Sequence, residues 1–132
     1  MRRILVIDDE PFVLEALKRV LSSSGVAVTG ASTADAGLAA MREAPVDLVI
    51  VDVILPGMDG VAAIKLIRGD YPGVRIIAIS GGGNFGLNSY LPEAISTSAY
   101  LAACKAAGAD GVLAKPFETA ELRSLINQVE AA

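Results

Sequence analysis

Four short apolar runs punctuate the chain: Ile4-Leu5-Val6-Ile7, Val26-Ala27-Val28, Leu48-Val49-Ile50-Val51 and Ile76-Ile77-Ala78-Ile79. Three are continuous rather than alternating, the pattern of parallel strands covered on both faces. Gly111-Val112-Leu113-Ala114 is a weaker fifth run. Between the runs the hydrophobic period lengthens to that of a helix. Val13, Ala16, Leu17, Val20 and Leu21 make one apolar stripe. Pro11 suits the first turn of that helix and Gly25 its carboxyl-terminal stop. Thr33 can cap a second helix through about Glu43, and a third covers Gly60–Arg68. Ser96–Ala107 reads as a fourth and Thr119–Val129 as a fifth, striped by Leu122, Leu125, Ile126 and Val129. Strand then helix, five times over, predicts an α/β fold: a parallel sheet with helices on both faces and right-handed crossovers.

Composition narrows the class. The 132 residues suit one domain, and a 53% hydrophobic content fills a core without metal or disulfide staples. The net charge is -4, with no basic cluster longer than Arg2-Arg3, which argues against direct nucleic-acid binding. The single cysteine, Cys104, reads as a small apolar helix residue and suits a reducing compartment. "MRRILVIDDE" is too short in its apolar part for a secretory signal, and no run approaches a membrane span. A cytoplasmic protein without membrane insertion is expected. With no histidine, the chain has no histidine-based triad and no self-contained histidine phosphorelay.

In an open parallel sheet the ligand site lies beyond the carboxyl ends of the strands. Asp8, Asp9 and Glu10 follow strand 1, Asp52 ends strand 3, Ser80 ends strand 4, and Lys115-Pro116 follow strand 5. Taken singly, Asp8 or Asp9 could be a helix cap, Ser80 a turn residue and Lys115 a solvated charge. Asp52 is harder to dismiss, because it stands between Val51 and Val53 where an unpaired carboxylate is costly. Clustered carboxylates repel unless a cation is present. An oxygen-rich site with room for water suits Mg²⁺. With the cation bound, a carboxylate can attack a phosphoryl group and form an aspartyl-phosphate. Lys115 and Mg²⁺ would supply positive charge to the phosphoryl oxygens, and Ser80 a hydrogen bond.

Four motifs in order, "ILVIDDE", "DLVIVDVILPGMDG", "IIAISG" and "GADGVLAKPF", resemble the receiver domain of two-component response regulators. The resemblance covers nearly the whole chain, residues 1–132, apart from about a dozen positions after Ser80. It implies a flavodoxin-like (βα)5 doubly wound sheet with strand order 2-1-3-4-5. It implies Asp52 as phospho-acceptor, Ser80 as switch hydroxyl and Lys115 as the lysine on the phosphate. Mg²⁺ would be held by Asp8, Asp9 and Asp52, with the main-chain carbonyl of Ile54 as a further ligand. A cis peptide bond would precede Pro116. The phosphoryl donor would be a sensor histidine kinase or a histidine phosphotransfer protein, and no enzymatic activity beyond the domain's own phosphorylation and dephosphorylation is expected. With no effector segment after Ala132, output is expected through a separate downstream partner. The family also dimerises through its helix 4–strand 5–helix 5 face, so a homodimer is an open expectation.

Two positions depart from the family pattern. The aromatic expected three residues before the lysine is Val112, too short to carry the same inward swing. Ser80 and Lys115 are 35 positions apart, about a dozen more than usual, which places a Gly-rich insertion around 81–93, beside the partner face. Gly81, Gly83 and Gly86 there spell G-x-G-x-x-G, yet a dinucleotide loop should follow the first strand and open a helix directly, and Pro92 argues against that. A flexible loop next to the phosphorylation site is the better reading. Ile54 and Gly82, at positions that tune dephosphorylation in the family, cannot position a water through their side chains, so slow hydrolysis is expected. Two alternatives belong to other classes. One is a phosphorylation-independent interaction module, favoured by Val112 and opposed by intact Asp9, Asp52, Ser80 and Lys115. The other is an aspartate-nucleophile phosphatase, opposed by Ile54 where a second carboxylate is wanted.

Overall fold

The computed structural model describes residues 2–23, 25–53, 60–80, 102–115 and 117–131. Strands β1 (Arg2–Ile7), β2 (Val26–Ala31), β3 (Leu48–Asp52), β4 (Arg75–Ser80) and β5 (Gly111–Ala114) form one sheet in the order β2-β1-β3-β4-β5. Every neighbouring pair is parallel. Helices α1 (Pro11–Leu21), α2 (Ala34–Glu43), α3 (Gly60–Asp70) and α5 (Thr119–Ala131) connect or follow the strands, and 102–107 is the described part of α4. This is the flavodoxin-like doubly wound arrangement, strand order 2-1-3-4-5, that the family resemblance implies.

The non-alternating runs divide their side chains between two cores, because successive strand residues point to opposite faces. Leu5, Ile7, Val49, Val51, Ile76 and Ala78 face Ile64 and Ile67 of α3, Met41 of α2 and Cys104 of α4. Ile4, Val6, Leu48, Ile50, Ile77 and Ile79 face Leu17 of α1 and Leu122, Ile126 and Val129 of α5. All five residues of β3 are buried, as the central strand requires. Fully burying side chains of this size stabilises by roughly 1.5–3 kcal/mol each relative to exposure.

Local signals act where expected, with one correction. Thr33 caps α2, its hydroxyl accepting from the Ala36 N–H at 3.0 Å. Pro11 opens α1. Gly25 does not stop α1: the helix ends at Leu21, and Gly25 takes φ 82° in the turn into β2. That conformation needs glycine for the turn rather than for the helix end. Arg68 at the end of α3 secures the chain's entry into β5. Its guanidinium donates to the carbonyls of Pro72, Val74 and Gly108 and pairs with Asp110 at 2.7 Å. Asp110 also accepts from the Ile76 N–H at 2.9 Å, so one cluster fixes β5 against β4 at the end opposite Lys115.

Candidate functional site

The site begins where β1 gives way to α1. The Asp8 N–H donates to the Ala31 carbonyl, extending the β1–β2 pairing one residue past the strand. Its Oδ1 then accepts from the Glu10 N–H at 2.9 Å, which closes the turn. Glu10 is the N-cap residue of α1, and its carbonyl accepts from Val13 and Leu14. The Glu10 side chain does no capping of its own. The turn held by these bonds leaves Asp8 inward and Asp9 outward: Asp8 is 1% exposed, whereas Asp9 is exposed.

Asp52 closes β3 on the neighbouring strand, paired with Ile79, and is 3% exposed. The backbone of the next residue, Val53, is gripped from two sides. The Val53 N–H donates to Ile79, and the Gly60 N–H donates to the Val53 carbonyl at 3.0 Å. Gly60 approaches so closely that a Cβ there would lie 2.3 Å from Val53 Cα and 2.6 Å from the Asp52 carbonyl oxygen. Only glycine at the first position of α3 allows this contact.

Lys115, one residue past β5, brings the strand ends together. Its Nζ donates to Asp8 Oδ2 at 3.0 Å, Glu10 Oε1 at 3.0 Å and Asp52 Oδ2 at 3.2 Å. Burial alone would lower the pKa of this ammonium. The hydrogen bond to Asp8, the charge of Asp52 and the hydrogen bond to Glu10 outweigh it, and the pKa lies above the usual lysine value. Lys115 is therefore a cation throughout the physiological range.

Three carboxylates still face one ammonium. Asp8, Glu10 and Asp52 each offer an oxygen, all within 4.8 Å of one another. Oxygen ligands about 2.1 Å from an octahedral Mg²⁺ lie roughly 3–4 Å apart, so the group fits such an ion in donor type, charge and spacing. Asp9 stands outside this group, and Glu10, to which the sequence pattern assigns no role, stands in it. The signal for Glu10 was its place beside Asp8 and Asp9 at the strand end, but nothing in the sequence ranks the three. The backbone of Ser80 lies opposite Ala114 at the end of β4. The Ser80 side chain, Ile54, Pro116 and the 81–93 insertion lie outside the described residues.

A family model described as the response regulator receiver domain matches residues 4–127. The chain belongs to the response regulator receiver family. Among relatives, the chemotaxis protein CheY of Thermotoga maritima is 30% identical over 129 residues, 97% of each chain. The DNA-binding response regulator MtrA of Mycolicibacterium smegmatis is 32% identical over 121 residues, 92% of this chain but 47% of its own length. The chain thus spans about half of several relatives that it matches and nearly all of CheY. The crystal structure of a CheY-like receiver domain protein from Methanospirillum hungatei superposes with a TM-score of 0.78 at 28% identity, covering 97% of this chain and 92% of that one.

Two further features surround the site of this receiver. Val112 is half-buried against the α2–α3–α4 core, and Leu113 packs on the other side. An apolar groove of about 370 Å³ runs between α1 and α5, lined by Phe12, Ala16, Val20, Phe117 and Leu122, and opens onto Glu10 and Lys115. Ala16 and Val20 belong to the apolar stripe of α1, yet Ala16 is exposed and Val20 only half-buried. Phe12 is 89% exposed at the edge of this groove. Among the described residues, no helix is long and apolar enough to cross a membrane.

Proposed function

We propose that this receiver takes a phosphoryl group onto Asp52 from the phospho-histidine of a sensor kinase or phosphotransfer protein and signals to a separate effector. The observation that carries the reading is Lys115, donating at once to the buried carboxylates of two strands, Asp8 and Asp52. A buried acid with a fixed cation at its oxygen is aimed by that contact, as a nucleophile must be. An Asp52 oxygen forms a bond to phosphorus while the P–N bond to imidazole breaks. The bonding pair returns to the imidazole nitrogen, which then takes a proton. Mg²⁺, held by Asp8 and Asp52 with Asp9 and the Ile54 carbonyl as the resemblance implies, would supply charge for the phosphoryl oxygens. Lys115 stabilises the same charge from the β5 side, and the Ser80 hydroxyl is the proposed switch contact. The domain performs this chemistry on itself alone, and hydrolysis of the product is slow. Phosphorylation replaces the single carboxylate charge of Asp52 with roughly 1.5 to 2 phosphate charges, a net gain of about one at most, and adds three acceptor oxygens, which redistributes the loops of the site between two populations. A homodimer through the α4–β5–α5 face is part of the same proposal.

The protein donor would meet the site across the α1–α5 groove, whose apolar floor leads directly to Glu10 and Lys115. The test is transfer of label from a phospho-histidine protein to this chain with Mg²⁺ present. An adduct that is lost in hydroxylamine, as an acyl phosphate is, supports the reading; a hydroxylamine-stable adduct contradicts it. Val112 supports a second reading, a module that binds its partner without phosphorylation, because the inward swing of an aromatic is not available at that position.

A further inference from the structure

Glu10 has a side chain without a capping duty. As N-cap residue of α1 it uses its N–H on Asp8 and its carbonyl on Val13 and Leu14, and the carboxylate caps nothing. That carboxylate instead takes one of the three N–H bonds of Lys115, at 3.0 Å, while remaining 41% exposed at the mouth of the site. Lys115 lies nearer to Asp8 and Glu10 than to Asp52. A divalent cation binding Asp8 and Asp52 competes with the ammonium for those same oxygens. Two of the three lysine bonds are then weakened together, and the third decides where the ammonium goes.

We propose that Glu10 is a positioning residue that keeps Lys115 at the mouth of the site when Mg²⁺ takes over Asp8 and Asp52, so that the ammonium meets the incoming phosphoryl group. This rests on the phospho-acceptor reading above. It makes a distinction that charge alone does not. If Glu10 acted only through its field, neutralising it would favour approach of an anionic phosphodonor. If it positions Lys115, neutralising it slows transfer although a repulsive charge has gone, because the cation is no longer pre-placed.

The first readout needs no phosphorylation. In ¹⁵N spectra, the Lys115 ammonium of the wild type is expected to stay protected from solvent exchange with and without Mg²⁺. In Glu10→Gln the protection should survive without Mg²⁺, through Asp8 and Asp52, and be lost when Mg²⁺ is added. Loss of protection in the Mg²⁺-bound wild type, or its retention in Mg²⁺-bound Glu10→Gln, overturns the proposal. If Mg²⁺ leaves the Asp8 and Asp52 carboxylate resonances of the wild type unmoved, the metal reading itself falls and the role of Glu10 with it. The second readout is the rate of phosphorylation by acetyl phosphate at saturating Mg²⁺. Glu10→Gln should be several-fold slower and Glu10→Asp, which keeps the charge, intermediate; a Glu10→Gln rate equal to or above wild type contradicts the positioning role.

Discussion

Lys115 and Asp8 are 107 positions apart and joined at 3.0 Å, the ammonium 10% and the carboxylate 2% exposed at their side chains. The two outer functional strands of the sheet, β1 and β5, are tied at their carboxyl ends by this pair. Asp52 stands between them on β3, 3.2 Å from the same nitrogen.

Removing the cation leaves buried carboxylates uncompensated. Lys115→Met is expected to lower the unfolding free energy by about 3 kcal/mol, the lower end for breaking a buried pair, since Glu10 is partly solvated. Added Mg²⁺ should recover part of that loss, because it neutralises the same oxygens. Urea denaturation with and without Mg²⁺ measures both effects.

The pH dependence follows from the sign of the lysine shift. The pKa of Lys115 is raised on folding, so its stabilisation is complete below the unfolded lysine value of about 10.4 and is lost as pH rises through the folded value. Between about pH 6 and 9 Lys115 contributes no slope. The stabilisation that Lys115 gives the wild type is expected to be lost only in strong alkali, where the wild-type denaturation midpoint should fall towards that of Lys115→Met.

Gly60 and Gly69 sit on one helix and respond oppositely to alanine. At Gly60 the added Cβ meets the backbone of Val53 and Asp52, so Gly60→Ala should cost about 1–3 kcal/mol and slow phosphorylation by displacing the acceptor. At Gly69 nothing lies within 4 Å, and Gly69→Ala should stabilise by roughly 0.5–1 kcal/mol through helix propensity. Thermal denaturation of the two variants, with phosphorylation rates beside it, checks the pair.

Phe12 is solvent-facing, so its truncation should change stability by no more than about 0.5 kcal/mol. If the α1–α5 groove receives the protein donor, Phe12→Ala lowers the rate from a phospho-histidine protein more than the rate from acetyl phosphate. The ratio of the two rates is the measurement, and an unchanged ratio removes this groove from the donor interface.

Much of this was legible in the sequence, for reasons that mark where legibility stops. The β5 run Gly111–Ala114 and the cap at Thr33 are local signals, and the structure places both at the expected residues. β2 runs three residues past its apolar start because it is an edge strand, where Thr29 and Gly30 need no core partner. The ordering of Asp8, Asp9 and Glu10 was not legible. Which of three consecutive acids turns inward depends on the residue at which β1 pairing ends and α1 begins, and that is set by the Asp8 bonds to Ala31 and Glu10. The open groove was not legible either. The stripe on α1 announces an apolar face, but whether α5 covers it is a matter of packing between elements about a hundred residues apart.

The most direct test of the account is intact mass after incubation with acetyl phosphate, with and without Mg²⁺, beside an Asp52→Asn control. One added phosphoryl group is expected in the wild type with Mg²⁺, and none in the control or without the metal. A folded wild-type protein that gains no phosphoryl group with Mg²⁺ present, or an Asp52→Asn protein that gains one, would contradict it.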